Sequence, residues 1–438
     1  MTAGPPFQPG EAFARRLDAE DPLAGYRERF ALPHGPGGAP LIYFCGNSLG
    51  VMPKAARTLV EQELDDWAAL AVDGHFKAAA PWYAYHEQLR DPAARLVGAQ
   101  GREVVAMNGL TVNLHLMLVS FYRPTEARHK ILIEDHSFSS DRYAMQSQLR
   151  WHGYDPADGL LVAQPRRGEA TLRTEDLEAL LDERGGEIAL VFLEGVNYFT
   201  GQRFDLARLA DAARRAGCAV GFDLAHAVGN VPLALHDSNA DCAVWCSYKY
   251  LNAGPGAVGG CFVHERHLGD AGRPRFGGWW GVDPATRFEM HRVTDFAPAP
   301  SADGWQLSNP PILSMAPLRA SLALFDEAGM DALRRKSLRL TGYLRYLVER
   351  AAGRRIEILT PAEPEAHGCQ LSLRVRDRPR ELFDALGRAG VVADFRQPDV
   401  IRVAPVPLYN TFGELWRFGE ILAEAAGATA AAERQGRP

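Results

Sequence analysis

The sequence has few cysteines and no Cys-x-x-Cys motif. The closest pair, Cys242 and Cys246, lies inside an apolar run typical of a strand, where buried free thiols are expected rather than a zinc site or a disulfide. We therefore predict no bound metal. The cysteines are Cys45, Cys218, Cys242, Cys246, Cys261 and Cys369.

The chain also lacks the features of a membrane, exported or nucleic-acid-binding protein. No apolar run reaches membrane-spanning length, and the start, MTAGPPFQPG, has no basic region followed by an apolar core. The formal net charge is −6, and no long basic run offers a surface for nucleic acid. These absences favour a cytoplasmic protein without a membrane or nucleic-acid partner.

The length of 438 residues suits two domains, or one large α/β domain with a smaller partner. The hydrophobic share of 47% and the charged share of 23% are typical of a globular protein. A helical run rich in Ala, Leu and Arg begins at Pro317 and marks a boundary. We predict an N-terminal arm (1–45) that packs with the small domain, a large domain (46–310), a small C-terminal domain (311–426) and a flexible tail (427–438).

Strand-like apolar runs alternate with amphipathic helices along most of the chain. Examples of the runs are KILIE, EIALVFLE, AVGFD and DCAVW. The helix that follows Pro53 carries Leu59, Leu64 and Trp67 at helical spacing. Continuous apolar strands that alternate with helices predict a mostly parallel sheet covered by helices on both faces. Ligands of such sheets bind beyond the carboxyl ends of the strands.

The stretch from Val220 to Gly260 contains the residues with the clearest chemistry. One apolar strand ends in Asp223, with His226 close behind, and the next apolar run leads to Lys249 and a glycine-rich loop. Without the neighbouring residues, the better interpretation of Lys249 would be an ordinary lysine at a strand end, whose aliphatic stem lies along apolar surface and whose amine reaches solvent. A lysine and a carboxylate at neighbouring strand ends meet the needs of a pyridoxal phosphate (PLP) site. The lysine forms the Schiff base, and the acid keeps the pyridine nitrogen protonated.

Two strand-to-helix turns would complete such a site. The backbone N–H groups of Leu110 and Thr111 would lie at a helix N-terminus, where the dipole and the threonine hydroxyl suit a phosphate. The alternative is an ordinary capped connection. Phe138 would stack on a flat ring, and Asp141 lies at the start of the next helix, where capping is again the alternative. The convergence of these residues on strand ends favours ligand binding.

One glycine-rich motif matches a nucleotide-binding pattern in sequence only. Gly254-Pro-Gly256-Ala-Val-Gly259 fits the dinucleotide fingerprint G-x-G-x-x-G by letter. It leads into a strand instead of opening a helix, and it contains a proline, so we reject NAD binding. His264-Glu-Arg-His267 is interpreted as a solvated loop rather than a metal pair. The chain has no Gly-x-Ser-x-Gly nucleophile elbow.

Motifs along nearly the whole chain resemble those of the kynureninase family, a group of fold-type I PLP enzymes. They occur in the family's order over about residues 41–412, and they are YFCGNSLGVMPK, MNGLTVNLHLML, DHSFSSDRYA, FDLAHAVGNVPL, WCSYKYLNAGPG, GWWG, LSNPPIL and IRVAPVPLYNTF. Several of them, including SYKYLN, LSNPPIL and RVAPVPLYN, are not expected in an aminotransferase or a cysteine desulfurase. Those relatives commonly place histidine before the Schiff-base lysine, where this chain has Tyr248.

The resemblance implies a fold and an activity. The fold is α/β, the fold-type I PLP-dependent transferase-like class, with a mostly parallel seven-stranded sheet between helices and a smaller C-terminal α/β domain. The activity is hydrolytic Cβ–Cγ cleavage of L-kynurenine or 3-hydroxykynurenine, which gives L-alanine and anthranilate or 3-hydroxyanthranilate in tryptophan catabolism and NAD biosynthesis. The family also implies a homodimer, and symmetric dimers are the commonest oligomers.

The family's motifs assign roles to residues of this sequence. The implied catalytic residues are Lys249, which carries PLP and moves protons, Tyr248, a late proton donor, and Asp223. The implied cofactor-binding residues are Leu110, Thr111, Phe138, Asp141, Asp223, His226, Tyr248, Lys249, Asn309 and, across a dimer interface, Trp279. The implied substrate-binding residues are His75, Ser308, Asn309 and Arg402. Arg402 would bind the α-carboxylate in a bidentate manner, which lysine does poorly.

The sequence departs from the family pattern in two places. Val282 follows GWWG, where the family usually has histidine, and this leaves the preference between kynurenine and its 3-hydroxy form open. Ser139 stands where proline is common, which leaves Phe138 and Asp141 in place. The alternatives are another fold-type I enzyme, such as a class V aminotransferase or cysteine desulfurase, and a non-catalytic PLP-binding regulatory protein.

Overall fold

The computed structural model describes the backbone of residues 7–435 and the side chains of residues 7–427. By their internal contacts these residues form two compact units. The sheet unit comprises Ala55–Tyr198 and Arg203–Glu327. The terminal unit comprises the chain up to Lys54, the short segment Phe199–Gln202, and the chain from Ala328 onward.

Strands and helices alternate over most of the chain. In the described range the strands are β1 Phe30–Ala31, β2 Ile42–Tyr43, β3 Met52–Pro53, β4 Val104–Ala106, β5 Lys130–Glu134, β6 Leu160–Ala163, β7 Ile188–Glu194, β8 Ala219–Asp223, β9 Cys242–Trp245, β10 Gly260–Val263, β11 Ile356–Ile358, β12 Leu371–Val375, β13 Val391–Val392, β14 Asp394–Arg396 and β15 Val400–Val403. The α-helices are α1 Glu11–Ala19, α2 Lys54–Leu70, α3 Gly74–Lys77, α4 Tyr85–Val97, α5 Leu110–Phe121, α6 Ser139–Trp151, α7 Pro156–Gly159, α8 Thr174–Arg184, α9 Leu206–Arg215, α10 Leu235–Ser238, α11 Ile312–Ala328, α12 Met330–Ala352, α13 Pro379–Arg388 and α14 Phe412–Gln435. Within residues 7–435, no helix is both long enough and apolar enough to span a membrane.

The sheet unit is built on a sheet whose described part has seven strands in the order β4-β10-β9-β8-β7-β5-β6. Strand β10 is antiparallel to β4 and β9, and the pairs from β9 through β8, β7 and β5 to β6 are parallel. Every residue of β7 and β9 is buried, as expected of strands covered on both faces. The predicted mostly parallel sheet is confirmed, and one strand runs in the opposite direction.

A glycine-rich loop returns the chain from β9 to β10. Gly254 and Gly256 have φ angles of 86° and 71°, a region that glycine adopts without steric cost. A side chain at Gly260 would clash with the indole of Trp245. These glycines therefore allow a close return between antiparallel strands, whereas the glycines of a dinucleotide fingerprint open a helix.

The terminal unit contains a sheet in which the described strands are antiparallel, in the order β11-β12-β15-β14. The N-terminal segment joins this unit, because β2 pairs in parallel with β13. The carboxylate of Asp18 accepts the N–H groups of Phe412 and Gly413 at 2.7 and 2.9 Å, which satisfies two free donors at the start of α14. The buried Lys336 Nζ lies 2.7 Å from Asp21 Oδ2. Buried contacts thus tie the N-terminal segment to the C-terminal part of the chain.

The contacts divide the chain differently from the predicted domain boundaries. The prediction ends the large domain at residue 310, whereas α11 packs within the sheet unit, where Leu318 and Leu322 line one cavity with Trp245. The predicted flexible tail, 427–438, overlaps α14, which extends to Gln435, and residues 436–438 lie outside the described residues. The assignment of the four predicted segments as domains stays a prediction.

Candidate active site

The sheet unit has a pocket beyond the carboxyl ends of its parallel strands. The pocket contains about 410 Å³ of space, including its opening to solvent, which is within the range of small-molecule sites. The structure brings eight of the predicted site residues together on its wall: Leu110, Thr111, Phe138, Asp141, Asp223, His226, Tyr248 and Lys249. Because these residues come from separate strand ends and helix starts, their convergence follows from the parallel sheet.

Asp223 is the last residue of β8 and is 3% exposed. In the parallel register it lies beside Glu194 of β7. Asp223 Oδ1 accepts the N–H of Ala225 at 2.7 Å, which fixes the orientation of the carboxylate. His226 is also buried, and its ring centroid lies 6.4 Å from that of Tyr198. A buried and oriented carboxylate at this position suits a protonated ring nitrogen.

Lys249 lies in the loop that follows β9, and its side chain is half-buried. Its Nζ is 5.7 Å from the ring centroid of Phe138 and 6.0 Å from that of Tyr248. Burial raises the pKa of Tyr248, and the nearby Cys246 thiol and acidic residues raise it further. Tyr248 therefore remains a phenol at neutral pH and is able to donate a hydrogen bond or a proton. The pocket thus places an amine and a phenol beside each other.

Two helix N-termini meet at the pocket. Thr111 in the first turn of α5 and Ser140 in the first turn of α6 have their hydroxyl oxygens 3.0 Å apart. A side chain at Gly259 would lie 3.3 Å from the backbone nitrogen of Leu110, so glycine keeps that helix start open. The N-terminal ends of two helices favour an anion here. The sequence indicated the α5 start as a phosphate site, and the structure adds the start of α6.

Glu194 is a pocket residue that the sequence analysis missed. It is 4% exposed, its Oε1 accepts the N–H of Phe138 at 2.8 Å, and its Oε2 accepts the N–H of Tyr198 at 2.6 Å. The rings of Phe138 and Tyr198 meet edge to face, with centroids 5.4 Å apart. One carboxyl group therefore fixes two aromatic residues of the wall. In the sequence Glu194 is visible only as the charged residue that ends the apolar run EIALVFLE. Ordinary strands also end in charged residues, so this position did not indicate a role in the pocket.

Four buried carboxyl groups cluster beside the pocket. Glu134 Oε1 accepts the N–H of Glu194 at 2.9 Å, and burial, together with the charge of Asp223, raises the pKa of Glu134 to about 7. Burial also raises the pKa of Asp141 and of Glu194 well above the usual range, and neighbouring carboxylates add to both shifts. Glu134, Asp141 and Glu194 therefore hold their protons more strongly than exposed carboxyl groups do.

Four other predicted residues of the sheet unit are outside the lining of this pocket. His75 lies in α3, and its ring meets that of Trp82 at a right angle, with centroids 5.6 Å apart. Trp279 is 37% exposed. Ser308 and Asn309 are exposed just before α11. Their proposed roles stay predictions.

The remaining predicted residue, Arg402, belongs to the terminal unit. It lies in β15 and is 1% exposed. Its Nε donates a hydrogen bond to Asp394 Oδ1 at 2.8 Å. A buried guanidinium is costly unless a carboxylate balances its charge, so this ion pair explains how the arginine is tolerated in the sheet.

A separate cluster has the residue types of a metal site. Ligand atoms of Glu103, His236 and His264 lie within 4.8 Å of one another. However, Glu103 Oε1 lies 3.0 Å from His236 Nδ1 and accepts the N–H of Glu265 at 2.8 Å, and His264 Nδ1 accepts the N–H of Arg266 at 3.2 Å. These atoms already bond within the protein, and we assign the cluster a structural role. The six cysteines, all within the described residues, form no disulfide bond.

The donor set of the pocket fits PLP. Lys249 supplies an amine, Asp223 a buried carboxylate, Phe138 an aromatic face, and the starts of α5 and α6 an anion site. Among the described residues, the buried Asp141 Oδ1 has no hydrogen-bond partner, as expected of an atom beside a ligand site. The aldehyde, the pyridine ring and the phosphate of PLP would therefore each have a complementary group in the pocket.

Comparison with known proteins identifies relatives over nearly the whole chain. A family model described as the kynureninase C-terminal domain matches residues 333–422. A kynureninase from Myxococcus xanthus is 56% identical over 422 residues, which are 96% of this chain and 99% of that protein. One from Koribacter versatilis is 54% identical over 412 residues, which are 94% of this chain and 97% of that protein.

The solved structures confirm the fold. A cysteine desulfurase from Escherichia coli matches with a TM-score of 0.74 and 17% identity over 94% of this chain and 98% of that chain. A likeness at that identity concerns the fold alone, and it confirms the predicted fold type I. Because relatives that share more than half of their residues with nearly all of this chain are kynureninases, the chain belongs to the kynureninase family.

Proposed function

We propose that this chain uses PLP to hydrolyse the Cβ–Cγ bond of L-kynurenine, of 3-hydroxykynurenine, or of both. The products are L-alanine and the matching anthranilate. The observation that carries the proposal is a pocket with a lysine, a buried acid and an anion site in a member of the kynureninase family. A desulfurase or aminotransferase activity would rest on likeness of fold alone, and a regulatory protein would not need the reactive groups.

Different residues of the pocket would bind different parts of the cofactor. Lys249 would hold it covalently, Asp223 would keep its ring nitrogen protonated, and Phe138 would stack on its ring. Leu110 and Thr111 would bind the phosphate through backbone N–H groups and the threonine hydroxyl. When bound, PLP supplies an electron sink for negative charge that develops on the substrate. The further proposed contacts are Asp141, His226, Tyr248, Asn309 and the partner subunit's Trp279.

Two side chains of the pocket would move the protons of the reaction. Lys249 would remove the proton from the substrate Cα and would return a proton to that carbon after the Cβ–Cγ bond has broken. Water adds to the γ-carbonyl carbon, which becomes the carboxyl group of the anthranilate when the Cβ–Cγ bond breaks. The Tyr248 phenol would donate the proton that completes the methyl group of alanine. The 6.0 Å between Lys249 Nζ and the Tyr248 ring allows both to serve one substrate.

The substrate contacts are proposed from the family's motifs. Arg402 would bind the α-carboxylate through two parallel hydrogen bonds. His75, Ser308 and Asn309 would contact the aryl ketone. Val282 stands where the family usually has histidine, so this chain lacks one polar group for a 3-hydroxyl. This substitution makes the choice between the two kynurenines a property to be measured.

A single assay tests the proposed function. The purified chain with PLP is expected to release alanine and anthranilate in equal amounts from kynurenine, or the hydroxylated product from 3-hydroxykynurenine. The ratio of kcat/KM for the two substrates gives the preference. Cysteine serves as the control substrate, because a desulfurase would form alanine from it. Failure to form alanine from either kynurenine by PLP-loaded protein would contradict the proposal.

We further propose that the chain forms a homodimer through an aromatic patch of the sheet unit. Phe76 and Phe288 are 61% and 57% exposed, and their ring centroids lie 6.1 Å apart. Tyr83 stacks on Phe288 at 5.3 Å and donates a hydrogen bond to Pro284 O at 2.8 Å, which holds the patch in place. Exposed apolar patches of this kind mark protein contacts. Trp279, outside the lining of its own chain's pocket, would then be available to the partner's pocket.

The mass in solution tests the dimer. Light scattering is expected to give about twice the chain mass of 48.0 kDa. Phe288→Arg should move the mass toward that of a monomer, because it places a charge in the apolar contact. Trp151→Arg is the matched control, since Trp151 is 82% exposed and takes no part in the ring contacts of the patch. A monomer mass for the unchanged chain at micromolar concentration would rule out the proposal.

A cytoplasmic location is the last proposal. The six cysteines form no disulfide bond, which is typical of a reducing compartment. The test is to fractionate cells that express the chain and to assay kynurenine cleavage in each fraction.

A further inference from the structure

The four-stranded part of the terminal unit holds Arg402 between two neighbouring strands. In the antiparallel register Arg402 of β15 lies opposite Ser372 of β12 and opposite Asp394 of β14. The arginine is 1% exposed, so its charge interacts with few water molecules. In such surroundings a hydrogen bond to a carboxylate contributes strongly to the orientation of the guanidinium.

That carboxylate belongs to Asp394, which faces two arginines. Asp394 Oδ1 accepts a hydrogen bond from Arg402 Nε at 2.8 Å and lies 2.8 Å from Arg396 Nε. Arg396 Nη2 donates to Asp394 Oδ2 at 3.2 Å. Burial alone would raise the pKa of Asp394, but the hydrogen bond from Arg402 and the charges of both arginines hold it below its usual range. Asp394 is therefore ionised at neutral pH.

The hydrogen bond to Asp394 is made by Nε of Arg402, and this position determines its effect on the orientation of the guanidinium. Nε is the donor nearest the side-chain stem, and the guanidinium is planar. A bond at Nε therefore fixes the rotation of the whole plane, and with it the direction of the two Nη groups. A side chain fixed in advance loses less conformational freedom when a ligand binds.

We propose that Asp394 is a positioning residue that fixes the guanidinium plane of Arg402 for the α-carboxylate of the substrate. The pair then selects amino acids with a free carboxylate. This inference rests on the proposed substrate role of Arg402. It assigns Asp394 no contact with the substrate or the cofactor.

Substitutions of Asp394 test the proposal through the Michaelis constant. Asp394→Ala is expected to raise the KM for kynurenine about tenfold, in the range of a lost hydrogen bond to a charged group, with kcat changed by less than about threefold. Asp394→Asn should give a smaller rise, because its amide oxygen still accepts the Nε–H. The inhibition constant of L-alanine should rise in parallel, and that of L-alaninamide, which lacks the carboxylate, should not.

Asp399→Asn is the matched control. Asp399 carries the same charge on the same hairpin, but its carboxylate lies 3.8 Å from Arg374 instead of Arg402. We expect its KM to equal that of the unchanged protein. The thermal melting temperature of each variant identifies loss of folding, and if Asp394→Ala does not fold, Asp394→Asn carries the test.

A double-mutant cycle separates the proposed role of Arg402 in substrate binding from the proposed positioning role of Asp394. In an Arg402→Leu background, Asp394→Asn should have no further effect on KM, because its partner is gone. An unchanged KM for Arg402→Leu alone would overturn the proposed role of Arg402. A raised KM for Arg402→Leu with normal KM values for both Asp394 variants would overturn the positioning role. An equal effect of Asp394→Asn in both backgrounds would also overturn it.

Discussion

Lys249→Ala is expected to abolish turnover and to remove the visible absorbance of covalently held PLP. The pocket offers no second amine, because the chain has five lysines and the others are Lys54, Lys77, Lys130 and Lys336, none of which lines it. Loss of the proton transfer alone should cost a factor of about 10² to 10⁴ in kcat. Loss of the covalent link adds to this, since the amine also fixes the position of the cofactor.

The measurements for Lys249 are an absorbance spectrum, an equilibrium dissociation constant for PLP and a kynurenine assay. Lys54→Ala is the control, because Lys54 is exposed at the start of α2 and should leave all three unchanged. Lys249→Arg keeps the positive charge but loses the nucleophile, and it should behave like the alanine variant. Measurable turnover of Lys249→Ala, or an unchanged absorbance band, would exclude Lys249 as the residue that carries PLP.

Arg402→Leu is expected to raise the KM for kynurenine about 100-fold, which is about 2.7 kcal/mol and near the value of two hydrogen bonds to a charged group. Leucine fills part of the buried space but carries no charge, so the α-carboxylate would lose its partner. The rate constant kcat should change much less, because the α-carboxylate keeps its charge throughout the reaction, so Arg402 stabilises the bound substrate and the transition state alike. Steady-state kinetics give both values from one series.

Arg402→Lys completes the test of the carboxylate role. Lysine retains the charge but not the planar fork, so we expect a KM between those of the unchanged protein and the leucine variant. The melting temperature serves as the folding control, since removal of a buried charge also leaves Asp394 with a single arginine. Equal KM values for the leucine variant and the unchanged chain would be incompatible with carboxylate binding.

The parallel arrangement of the main sheet explains why much of the pocket was predictable. Asp223 and Lys249 are far apart in sequence, but strand ends in a parallel sheet meet at one edge. Residues that directly follow apolar runs can therefore be predicted to lie close together, even when no contact between them is known. The same argument located Thr111 and Phe138, which begin the helices that follow two other strands.

Features that depend on contacts were not predictable. The run that forms β10 is as apolar as the parallel strands of the sheet, so its composition could not show that it runs antiparallel to β9, with Gly260 close against Trp245. Glu194 closes an apolar run as an ordinary strand-end residue does, and its role depends on the N–H groups of Phe138 and Tyr198 that it accepts. Helical spacing predicted α2, but it could not show that Leu64 and Trp67 stay 43% and 60% exposed.

The pairing of β2 with β13 has a consequence for synthesis on the ribosome. Ile42 and Phe44 are buried against residues such as Phe418, which are made more than three hundred positions later. At about 5–20 residues per second, the wait from residue 54 to residue 391 lasts roughly 20–70 seconds. The sheet unit ends at Glu327 and is complete well before then. Residues 7–54 are therefore the part of the described chain that waits longest for its packing partners during synthesis.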